Sequence, residues 1–84
     1  MLVSCDFARL GSAEAVYEYL RKELAFPPYF GRNLDALYDC LTDIGAPTHL
    51  ILTGAADPCA KRFLPVIRDA AKQNRNLSVE IHEE

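Results

Sequence analysis

Asp35, Asp39 and Asp43 recur at four-residue spacing in PPYFGRNLDALYDCLTDI, the stretch from Pro27 to Ile44. On a helix that spacing stacks side chains one above another, so the carboxylates form a stripe with Tyr38 beside it. Like charges in this relation repel by roughly 0.2–0.5 kcal/mol per pair. Asp35 falls in the first turn, where the helix dipole favours an anion, but Asp43 falls near the C-terminal end, where the dipole opposes one. No lysine or arginine lies between Arg32 and Lys61 to relieve the stripe locally. A carboxylate can accept an arginine fork bidentately, much as a phosphate does. Tyr29, Phe30 and Tyr38 are residue types that anchor interfaces. The pattern offers recognition of something cationic; the plainer alternative is a solvated acidic face.

Catalysis finds little support in the same residues. Asp35 and Asp39 point the same way from one helix face, whereas a glycosidase needs carboxyls on opposite sides of a sugar. Ser4, Ser12 and Ser78 sit in no nucleophile elbow. His49 opens a strand and His82 stands beside Glu83 and Glu84, so both read as structural or solvated. Gly11, Gly31, Gly45 and Gly54 form no phosphate-cradling loop. The aspartate stripe lacks the loop carbonyls of a calcium site. The expectation is a binding protein rather than an enzyme, with no cofactor and no metal.

The segment Tyr29-Phe30-Gly31-Arg32-Asn33-Leu34-Asp35-Ala36-Leu37-Tyr38-Asp39-Cys40-Leu41 resembles the barstar family of intracellular ribonuclease inhibitors. That family's core pattern is Tyr-aromatic-Gly-x-Asn-x-Asp-Ala-Leu-x-Asp-Cys-Leu, and Lys22-Glu23-Leu24-Ala25-Phe26-Pro27 just upstream is similar too. The resemblance implies an inhibitor that plugs the active site of a basic ribonuclease, its acidic helix mimicking RNA phosphates. It implies Asp39 in the phosphate site, Asp35 supporting it, Tyr29 and Tyr38 flanking the charges, and Asn33 both capping the helix and reaching across. Thr42 and, from the third helix, Asp69 complete the implied surface. The implied role is antitoxin-like immunity in the cytoplasm.

Three departures bear on the partner. Tyr38 stands where barstar has tryptophan, Arg32 replaces an acid, and Asp43-Ile44 replaces Gly-Trp. Two other classes stay open: a regulatory module using the same face for a basic non-nuclease partner, and a small structural or oligomerising domain.

The remaining chain must position that helix. Residues 2–7 read as a strand ending at a turn over residues 9–11. Ser12 caps a helix that ends before Pro27 and buries Ala13, Val16, Tyr17, Leu20 and Leu24. On its wet face, Glu18–Lys22 and Glu14–Arg21 offset the Glu14–Glu18 repulsion. Asn33 caps the acidic helix, which buries Leu34, Leu37, Leu41 and Ile44 and stops at Gly45. Residues 49–53 hold the apolar run Leu50-Ile51-Leu52 expected of a central parallel strand. A third helix is expected over about residues 58–73, with Pro65 either kinking it or marking its true first turn near Leu64; the kink or a loose first turn is preferred. Leu77, Val79 and Ile81 then alternate with Ser78, Glu80 and His82, a strand wet on one face.

This element order predicts an α/β two-layer fold, a three-stranded parallel sheet of order 1-2-3 with helices mainly on one face, as in barstar-like proteins. All 84 residues are expected to form one domain, monomeric when free. A net charge of −3 argues against direct nucleic-acid binding. Acidity fills the middle of the chain, and Lys61, Arg62, Arg68, Lys72 and Arg75 follow around the single acid Asp69. Cys5, Cys40 and Cys59 are odd in number and widely spaced, so they read as buried free thiols of a reducing compartment. Neither a signal peptide nor a run of the ~20 apolar residues that span a bilayer is visible. A cytoplasmic location with no membrane partner is expected.

Overall fold

The computed structural model describes residues 1–82. Strands β1 (Leu2–Asp6), β2 (Thr48–Thr53) and β3 (Leu77–Ile81) form a parallel sheet in the order β1-β2-β3. Val3 lies opposite Leu50 and Cys5 opposite Leu52, and Leu50 in turn lies opposite Val79. Alternation sends these residues to the helix-covered face, because successive strand side chains point to opposite sides. The other face is open: Leu2 is 67% exposed, and Ser4, Ser78 and Glu80 are exposed as well. Helices on one face are what the wet alternate positions of β3 foretell. The central strand follows the same rule, since Ile51 is only half-buried between the fully buried Leu50 and Leu52.

The first strand ends earlier than its apolar pattern suggests. Asp6 Oδ1 accepts from the Ala8 and Arg9 N–H groups, which caps the single helical turn α1 (Phe7–Leu10) and draws Phe7 out of the strand. Gly11 closes that turn at φ 73°. Gly54, at the exit of β2, passes so close that an added Cβ would lie 2.7 Å from the Ala8 nitrogen.

Helix α2 (Ala13–Glu23) is capped by Ser12, whose Oγ accepts from the Ala15 N–H, and buries Val16, Tyr17 and Leu20. Helix α3 (Leu34–Thr42) buries Leu37 and Leu41, with Leu34 half-buried; Ile44 packs beyond the helix rather than in it. Pro58–Ala60 forms a separate 3-10 turn, and α4 starts only at Phe63, running to Gln73. Pro65 therefore falls in the first turn of α4, the alternative the sequence left open with a start near Leu64, and the preferred single helix kinked from residue 58 is corrected. At that position the missing N–H has no intrahelical carbonyl to lose. The core closes on rings: Tyr17 meets Phe63 edge-on at 5.0 Å, and Phe63 stacks on Phe7 at 5.9 Å.

Candidate functional site

The connection from α2 to α3 carries the aromatic turn. Beyond the Leu24 C-cap of α2, Ala25 turns the chain at φ 55°, with the Phe26 N–H donating to the Arg21 carbonyl at 2.9 Å. This is a Schellman closure in which alanine occupies the left-handed position that usually takes glycine. Phe26 and Phe30 are buried, their rings 5.2 Å apart, and Phe30 also meets Tyr17 at 6.2 Å. Tyr29, between these anchors, is turned outward and 86% exposed. Gly31 leaves room for the cap: a Cβ there would stand 3.2 Å from Asn33 Nδ2. Asn33 Oδ1 accepts from the Ala36 N–H at 2.8 Å, fixing the first turn of α3.

The far end of α3 is held from another element. Asn74, buried after α4, donates from Nδ2 to the carbonyls of Leu41 and Ile44, both at 3.0 Å. Thr42 turns its hydroxyl back onto the Tyr38 and Asp39 carbonyls, each at 3.0 Å. The helix thus ends at Thr42 with Asp43 as its C-cap, before the Gly45 stop that the sequence suggests.

The aspartate stripe divides. Asp39 and Asp43 line a groove of about 370 Å³ with Leu24, Phe26, Tyr29, Cys40 and Ile44. Asp35 instead lines a shallow hollow at the start of α3 with Tyr17, Asn33 and two arginines, Arg32 and Arg62. Tyr29, Asp39 and Asp43 are exposed, and no hydrogen bond or ion pair engages the Asp39 carboxylate among the described residues. Tyr38 is half-buried against the core rather than standing free, and Thr42 is half-buried too. Asp69 is exposed on α4 and lines neither recess. Tyr29 and Asp39 therefore share one recess, Asn33 and Asp35 share the other, and Tyr38, Thr42 and Asp69 lie outside both.

Charge pairing around the site differs from the expected i,i+4 ladder. Glu18, not Glu14, is the hub on α2. Its Oε1 accepts from Arg21 Nη2 at 2.6 Å, and its Oε2 accepts from Arg32 Nη2 at 2.8 Å. Hydrogen bonds from Arg21 and then Arg32 hold the Glu18 carboxyl down at about 2. Cys40, in the groove, is only half-buried; desolvation and then the charges of Asp39 and Asp43 raise its thiol above the usual range. Cys5 alone is fully enclosed, and burial pushes it up to about 12.

His49 and His82 are not merely solvated. On the open sheet face His49 bonds Ser78 Oγ at 2.8 Å and Glu80 Oε1 at 3.3 Å, and His82 bonds Glu80 Oε2. These bonds, first from His82 and then from His49, lower the Glu80 carboxyl. The β2–β3 register places His49 opposite Ser78, a pairing legible only once the strands are aligned. Glu83 and Glu84, the other sequence neighbours of His82, lie outside the described residues. Among the described residues no cluster of three or more His, Cys, Asp or Glu is arranged to hold a metal ion, and no helix is long and apolar enough to cross a membrane.

Comparison with known proteins bears on the same surface. A curated relative from Bacillus subtilis (strain 168), named "Putative ribonuclease inhibitor YrdF", is 50% identical over 40 residues. That match covers 46% of this chain and 44% of the relative's length. The model of the family described as "Barstar (barnase inhibitor)" matches residues 1–82, nearly the whole sequence and every element of the fold. The chain belongs to the barstar family.

Proposed function

We propose that the protein inhibits a cationic ribonuclease by occluding its active site with α3 and the aromatic turn before it. Asp39 takes the place of an RNA phosphate and accepts a partner arginine, and Asp35 supports it from the turn above. Tyr29 and the half-buried Tyr38 supply apolar area at the edges, Asn33 holds the helix start, and Thr42 and Asp69 complete the rim. One observation carries this reading. An unpaired carboxylate, Asp39, stands in an apolar groove beside a tyrosine that is 86% exposed, on a helix fixed at both ends by side-chain bonds. A folding helix has no use for that arrangement, whereas a cationic partner would satisfy it. Membership of a family described as barnase inhibitors, and a relative named as a ribonuclease inhibitor, support the same partner class.

The test is a titration of barnase cleaving RNA. Loss of cleavage in proportion to added protein, ending near one equivalent, is the expected result. A complex that forms while cleavage continues would favour the regulatory-module reading, and unimpeded cleavage with no complex would contradict inhibition of this enzyme.

A further inference from the structure

Glu18 is bound at both carboxylate oxygens, to an arginine on its own helix and to one fourteen positions away, at the threshold of α3. Arg32 immediately precedes the Asn33 cap and lines the same hollow as Asp35. The turn between Pro27 and Asn33 has one buried anchor, Phe30, which packs on Tyr17, the residue preceding Glu18. Arg32 is a second anchor, made at the surface and on the same stretch of α2. Its guanidinium is also a cation on a face proposed to meet a cationic enzyme. Unheld, its charge would oppose the approach of such a partner, since like charges across an interface slow encounter. Glu18 supplies the counter-charge from α2. The Glu18 carboxyl is ionised at neutral pH in any case, and the bonds from Arg21 and then Arg32 hold it lower still, so the arrangement persists into mild acid.

We propose that Glu18 is a positioning residue of the binding surface: it ties the aromatic turn to α2 through Arg32 and masks the Arg32 charge from a basic partner. This rests on the inhibitor reading above for the nature of the partner, though the tether itself does not. Arg32, set against the acidic stripe, is thereby tolerated because α2 brings its own acid to meet it.

The experiment uses the full chain, the variants Glu18→Gln, Arg32→Gln, their combination, and Glu14→Gln as a control of equal charge change. Glu14 is exposed on the same helix. In the free protein, amide exchange at Phe30 and Asn33, whose N–H groups close the turn onto Pro27 and Gly31, should quicken about threefold in Glu18→Gln and Arg32→Gln, and stay unchanged in Glu14→Gln. Association with inactivated barnase should be about threefold slower for Glu18→Gln than for Glu14→Gln, and Arg32→Gln in the Glu18→Gln background should restore it. A purely structural role for Glu18 would give no such rescue. Exchange rates in Glu18→Gln equal to wild type overturn the tether. An on-rate matching Glu14→Gln, or a double variant as slow as Glu18→Gln, overturns the masking. Asp39→Ala is measured alongside: if it binds like wild type, or if wild type does not bind, the inhibitor reading fails and the masking with it, while the exchange data still decide the tether.

Discussion

Asn74 holds the end of the acidic helix from outside it: its side-chain amide donates to the Leu41 carbonyl at 3.0 Å, and the same nitrogen reaches the Ile44 carbonyl. The last carbonyls of a helix have no partner within it, and here a buried asparagine from the segment after α4 satisfies them. Asp39 lies two residues before Leu41, so the register of the proposed phosphate mimic is referred through Asn74 to α4 and β3.

Replacing Asn74 with alanine should therefore be costly. The buried Leu41 carbonyl and the half-buried Ile44 carbonyl each lose their shortest side-chain donor, and the expected loss is about 1–3 kcal/mol in urea unfolding. Amides near Cys40 and Leu41 should exchange faster in the variant. A melt indistinguishable from wild type would mean that water or a neighbouring amide replaces the bonds. Asn76 Nδ2, already 3.4 Å from the Ile44 carbonyl, is the nearest candidate.

Much of this was legible in the sequence, and the failures have physical causes. Asn33 as a cap and the buried stripe of Leu37 and Leu41 follow from local rules, and the structure agrees. The strand order follows from the apolar run in β2 and the alternation in β3. Boundaries failed where one polar side chain overrode a hydrophobic pattern. Asp6 capped a turn that captured Phe7, and Asp57, accepting from the Cys59 N–H, set the 3-10 turn apart from α4. At the site, the stripe was readable but its division was not, because the groove around Asp39 is completed by Leu24, Phe26 and Ile44 from outside the helix. Long-range pairs such as Glu18–Arg32 and Asn74–Leu41 leave no mark at helical spacing.

The acid sensitivity of the Glu18 hub has a definite sign. Its carboxyl is held at about 2, below an ordinary value of 4.5, by Arg21 and Arg32. A depressed folded value means that the contribution to stability is fully present above about 4.5 and is lost as pH falls through about 2. NMR titration of the Glu18 side chain should give that low midpoint, and Arg21→Gln with Arg32→Gln should return it toward 4.5. A midpoint near 4.5 in the unaltered protein would mean that the arginines do not hold it in solution.

Cys40 offers a footprint of the groove. Burial and the charges of Asp39 and Asp43 raise its thiol, so the reactive thiolate is scarce and alkylation at pH above 8 should be slow. Asp39→Asn removes one of those charges and should quicken labelling about twofold or more. Bound barnase should block labelling of Cys40 while leaving Cys59, which bonds the Phe7 carbonyl on another part of the molecule, as reactive as before. Equal labelling of Cys40 in the free and mixed samples would place the partner away from the groove.

Asp39 is exposed, and nothing within the described chain pairs with its carboxylate, so Asp39→Ala should fold at least as well as wild type. Dissociation of the barnase complex, followed by stopped-flow chase for Asp39→Ala and for Glu14→Ala, is the decisive measurement. Both variants lose one negative charge, and both should associate slightly more slowly. Asp39→Ala should also dissociate at least about 30-fold faster, a cost of roughly 2 kcal/mol, because the partner's arginine is left buried without its counter-charge. Glu14→Ala should dissociate at the wild-type rate. If the two variants leave the complex at the same rate, Asp39 does not occupy the active site and α3 is no more than a diffuse anionic surface.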